Sequence, residues 1–109
     1  MELRGLPFVT VDWDQLPAET RPGERGTVAS RTFQSGAVRV RMVEYSAGYQ
    51  ADHWCRKGHV VLCLRGEFTS EQQDGSAVQI RPGMTYIVGE DTAPHRTSTE
   101  AGATLFIVD

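Results

Sequence analysis

From Thr27 onward the chain alternates apolar and polar positions with a period of two. Val38, Val40 and Met42 interleave with Arg39, Arg41 and Val43, which is the pattern of a strand with one buried face. On that reading Val38, Val40 and Met42 point inward, and Arg39 and Arg41 lie on a solvated face. Ser35-Gly36 turns the chain between this strand and one over residues 27–34, and Ala47-Gly48 ends it. A further strand is expected up to Cys55, then a tight polar loop at Arg56-Lys57-Gly58 and a return strand over residues 59–64.

Asp74-Gly75 is a short-hairpin signal between strands over 67–73 and 77–80, and Pro82-Gly83 turns the chain again. Strands over 84–88, 95–99 and 103–108 complete the set. No stretch keeps a helical period over three turns, so the fold class is all-β: about nine short strands spaced as in a barrel or jelly roll. Residues 1–26 hold three of the five prolines and read as an irregular N-terminal arm. One short strand is expected near 8–11, with Trp13 and Leu16 pinning the arm to the barrel formed by residues 27–109.

At 109 residues the chain fits one domain. A net charge of -3 and a pI near 5.6, with Lys and Arg scattered, offer no basic field for nucleic acid or an anionic membrane. The first residues lack a basic and apolar leader pattern, and no apolar run approaches the roughly 20 residues a bilayer span needs. A cytoplasmic protein with reduced thiols is the expectation.

Chemistry-bearing side chains concentrate between Gly48 and Gly66, which contain both cysteines and two of the three histidines; the third, His95, follows Pro94. His53 and Cys55 are two apart on a strand and share a face. A loop over 56–58 would set Cys55 opposite His59, placing His53, Cys55, His59, Val61 and Cys63 on the inward face. The same register puts Cys63 opposite Ala51, about 13 Å from Cys55 at 3.3 Å per residue. A disulfide needs Cα atoms within about 7 Å, so the thiols stay unpaired and Cys63 is a wall residue. Trp54 alternates away, toward packing or a subunit contact. Any one of these histidines alone could be a hydrogen-bonded core residue; together they outline a metal pocket.

His53-x-Cys55-x3-His59-x6-Gly66 resembles the first motif of the cupins, G-x5-H-x-H-x3,4-E-x6-G, with Gly48 one residue closer. Cys55 stands at the second-histidine position and His59 at the glutamate position. Pro82-Gly83 followed by Pro94-His95 resembles the second motif, with Thr99 in place of its usual Asn. Asp52-His53-Trp54-Cys55 also resembles, with its last two letters exchanged, the tetrapeptide that names the small bacterial DHCW cupin-fold group. The resemblance spans about residues 27–108 and implies a single-domain cupin β-barrel of jelly-roll type. It also implies metal held by His53, Cys55, His59 and His95, and a homodimer.

Three neutral imidazoles and a thiolate give a divalent ion the same ligand charge as three imidazoles and a carboxylate. The softer set favours Zn, with Fe, Ni, Co or Cu as competitors, over Mg or Ca. Two functions follow. If the histidines alone bind, an open position serves a metal-dependent enzyme acting on a small molecule. If Cys55 closes a tetrahedral site, the barrel is a binding module with structural zinc, or a sensor that releases its ion when the thiol is oxidised.

Overall fold

A computed structural model describes residues 3–109. Nine strands form two antiparallel sheets: β1 (Glu19–Pro22), β2 (Thr27–Ser35), β3 (Val38–Tyr45), β4 (His59–Gly66), β5 (Phe68–Gln72), β6 (Ala77–Ile80), β7 (Thr85–Val88), β8 (His95–Ser98) and β9 (Ala103–Val108). The large sheet has the order β1-β2-β3-β9-β4-β7 and the small one β6-β5-β8. This is the expected all-β jelly roll, with the two sheets packed face to face and not joined into a closed barrel. No helix among the described residues is long and apolar enough to cross a membrane.

The core lies between the sheets. Val43, Val61, Cys63, Leu105 and Ile107 of the large sheet meet Phe68 and Ile80 of the small one, all at 5% exposure or less. Tyr45 and Tyr86 each pack edge to face with Phe68, with ring centroids 6.4 Å apart. At the end of β4, Gly66 has a φ of +70°, and a Cβ there would strike the carbonyl oxygen of Gly102. Glycine is the residue that accommodates both demands.

Three sequence expectations are corrected. The inward face of β3 is the one that carries Arg39, Arg41, Val43 and Tyr45; the register Val43↔Leu105 and Arg41↔Ile107 fixes this. Val38, Val40 and Met42 lie on the outer face, which is apolar as well because the N-terminal arm crosses it. Trp13 meets Phe106 edge to face with centroids 6.3 Å apart, and Arg31 donates to the carbonyls of Trp13 and Leu16. With the outer face apolar and two arginines on the inner one, period-two alternation does not reveal which face is inside. Within the arm, residues 8–11 form no strand. Order comes instead from a 3-10 turn at Trp13–Gln15, capped by the Asp12 side chain on the Asp14 N–H, and from β1, which pairs with β2.

The third correction concerns residues 49–55. They do not form a hairpin with β4. They run along the edge of β8, held by Ala51 N–H to Thr97 O, Thr99 N–H to Tyr49 O, and a reciprocal pair between Cys55 and His95. Cys55 thus faces His95, while His59 pairs with Val88 and Cys63 with Leu105. The thiols are unpaired, as expected, although by a different register.

Candidate metal centre

Three elements bring the site together. His59 is the first residue of β4, His95 the first of β8, and Cys55 is bridged to His95 through the backbone. The ligand atoms of Cys55, His59 and His95 all lie within 4.8 Å of one another. His59 and His95 are 9% and 5% exposed, Cys55 is half-buried, and the three open on a cavity of about 350 Å³ between the sheets. Arg39, Arg41, Tyr86 and Thr97 line the same cavity.

The imidazoles are oriented from behind. His95 Nδ1 lies 2.8 Å from the carbonyl oxygen of Ala93, so it must carry the proton it donates. His59 Nδ1 faces Oδ2 of Asp109 at 3.4 Å. Both rings therefore turn Nε2 inward, and the two Nε2 atoms stand 2.9 Å apart. Two lone pairs at that distance repel unless a cation sits between them, either a proton or a metal. Neighbouring nitrogens on one tetrahedral ion with bonds near 2.1 Å are about 3.4 Å apart, so a small opening of the pair admits an ion. A backbone carbonyl or carboxylate behind each ligating histidine is the usual second layer of a metal site.

Electrostatics agree with a site that exchanges protons for metal. The hydrogen bond to His95 is the main cause holding the Cys55 thiol below its ordinary pKa, and the same bond is the main cause raising His95. Burial lowers His59 against the pull of Asp109. Burial alone would raise Asp109, but the hydrogen bonds from Arg39 and the charges of Arg41 and Arg39 bring it down to about 2. Its carboxylate is fully covered and accepts from Arg39 at 2.7 and 3.1 Å and from Arg41 at 2.9 Å.

His53 is placed differently from the other three expected ligands. It is not part of the Cys55–His59–His95 group. Its ring is 73% exposed, bonded through Nδ1 to Asp52 at 2.7 Å, and it stands at the wall of the same cavity. Cys63 is a core residue whose sulfur faces the carbonyls of Arg65 and Gly66. Trp54 packs under the guanidinium of Arg96, which is 4.4 Å from the ring centre and paired with Glu71. The sequence reading did not anticipate Asp109, Arg39 or Arg41 in the pocket. The available signal was Val43 and Tyr45 continuing the Arg39–Arg41 face.

No family model matches the chain, and no curated protein matches it by sequence. Solved structures do. The polyketide cyclase RemF from Streptomyces resistomycificus superposes with a TM-score of 0.77 at 19% identity, over 94% of this chain and 78% of that one. Iron(II) HppE gives 0.77 at 13% identity, over 95% and 63%. A cupin-like protein from Thermotoga maritima gives 0.67 at 14% identity, over 77% and 68%. At these identities the likeness speaks for architecture, and with the jelly-roll topology and the inward His/Cys group it shows that this chain has the cupin fold.

Proposed function

We propose that Cys55, His59 and His95 hold one divalent transition metal and that the protein is a small metal-dependent cupin acting on a small molecule in the adjoining cavity. The observation that carries this reading is the pair of inward Nε2 atoms 2.9 Å apart, each ring backed at Nδ1 by an acceptor. A thiolate with two imidazoles favours Zn first, then Fe, Ni, Co or Cu. The iron named in the HppE structure supports a divalent ion in this fold.

Three protein ligands would be one short of a closed tetrahedral set, which favours an enzyme over a structural site. When bound, the ion supplies Lewis acidity and lowers the pKa of a bound water. This chain's own residues hold and orient: Ala93 O and Asp109 fix the two rings, and Arg39 and Arg41 fix Asp109. Unpaired thiols, one of them in the core, support a cytoplasmic setting. Ile87, 76% exposed on the outer face of the large sheet, supports a homodimer. Sedimentation showing only a 12.1 kDa species at micromolar concentration would remove that part.

The test is metal content per chain on untagged protein. About one ion is expected in the wild type, near zero in His59→Ala and His95→Ala, and a reduced content in Cys55→Ser. A wild type that takes up no Zn, Fe, Ni or Co on reconstitution overturns the reading.

A further inference from the structure

The cavity beside the histidines holds charged groups that are unequally partnered. Its lining charges are paired at the rim: Arg21 with Glu19 at 2.7 Å, His53 with Asp52, and Arg96 with Glu71 at 2.6 Å. Inside, two guanidiniums, Arg39 and Arg41, share the side-chain carboxylate of Asp109. Arg39 takes it through Nε and NH2; Arg41 has one bond to it, through NH2. The Nε of Arg41 is covered and donates to nothing, and among the described residues it is the only buried side-chain nitrogen or oxygen without a partner. Arg41 therefore lines the cavity with one side-chain hydrogen bond, the bond to Asp109.

Such an arrangement is costly for the free protein. A guanidinium that lines the cavity with 21% of its side chain exposed and makes one hydrogen bond, to Asp109, gains most from an anion delivered to its open donors, since charge-assisted bonds are about twice as strong as neutral ones. Arg41 and His59 contact the same Asp109 oxygen, at 2.9 and 3.4 Å, so an anion on Arg41 lies next to the His59 side of the metal group. At about 350 Å³ the space is at the small end of ligand pockets. We infer that the cavity binds a small carboxylate whose anionic end sits on Arg41 and whose second oxygen points to the Cys55–His59–His95 group. This deepens the proposed function and rests on it only for the second contact, since the Arg41 contact needs no metal.

Calorimetric titration of the metal-stripped protein with malonate, and with malonamide as its neutral isostere, tests the charge requirement. Malonate is expected to bind at one per chain and malonamide at least tenfold more weakly. Arg41→Gln should weaken malonate by a further factor of about ten, and Arg41→Lys by less, because the charge is kept while the fork is lost. On metal-loaded protein the malonate affinity should rise. Equal binding of malonate and malonamide to the wild type overturns the inference whether or not the variants fold, as does a folded Arg41→Gln that binds malonate like the wild type. Protein that takes up no metal but retains Arg41-dependent malonate binding refutes the metal reading and leaves this one standing. Metal uptake without charge preference does the reverse.

Discussion

The inner face of the large sheet changes character within one step along three neighbouring strands. On β3 it runs Arg39, Arg41, then Val43 and Tyr45; on β4, His59, then Val61 and Cys63; on β9, read backwards, Asp109, then Ile107, Leu105 and Ala103. One half of the space between the sheets is closed by Phe68, Ile80 and Leu105, and the other half is left as the cavity. The apolar half owes its stability to close packing and tolerates no voids. The ionic half holds a buried carboxylate, two guanidiniums and two facing imidazoles, groups whose desolvation offsets much of their mutual attraction. One half holds the fold, and the other spends that stability on a site.

The comparison is sharpest where one substitution in each half is set side by side. Leu105→Ala in the apolar half should cost about 3 to 5 kcal/mol by cavity formation, read as a lowered denaturant midpoint at unchanged slope. Arg41→Met in the ionic half leaves Asp109 on Arg39 and removes the buried Nε that has no partner, so stability should move by less than about 1 kcal/mol. Similar losses for both would mean that the ionic half is also a stability element, and the division would fail.

Asp109→Asn has an intermediate expected effect. It leaves Arg39 and Arg41 facing each other without a carboxylate, and about 2 to 3 kcal/mol should be lost at neutral pH. The pH dependence gives an independent check. The carboxyl is lowered from 3.8 to about 2 in the folded state, so unfolding takes up a proton there. That stabilisation, about 2 kcal/mol, is fully present above pH 4 and is lost as the pH falls through about 2. Wild-type stability should therefore rise steeply between pH 2 and 4, and the Asn variant should show a flatter profile in that window.

The strand pattern was legible from residue 27 onward because turn residues mark nearly every reversal, as at Asp74-Gly75 and Pro82-Gly83. The face of β3 was not, because the arm makes its outer side apolar and two arginines occupy its inner side. For the site, spacing drew attention to Cys55, His59 and His95. Spacing alone paired Cys55 with the wrong partner, since a three-residue polar loop suggests a hairpin. The actual partner, β8, lies about 40 residues on and is set by the jelly-roll crossover, a non-local choice that local alternation does not encode. Asp109 was invisible for the same reason: its role depends on β9 lying between β3 and β4.

The smallest expected effect separates His53 from the three inward residues. Its ring is largely in solvent and bonded to Asp52, so it has neither the burial nor the backing acceptor that orients His59 and His95. His53→Ala should leave thermal stability within about 0.5 kcal/mol of wild type, as for an ordinary surface change. Metal content per chain should also stay as in the wild type, while His59→Ala and His95→Ala lose it. If His53→Ala loses metal as well, residues 51–54 must fold inward to supply a fourth ligand when the ion binds. The open coordination position assigned to the enzyme would then be closed, and the site would be structural.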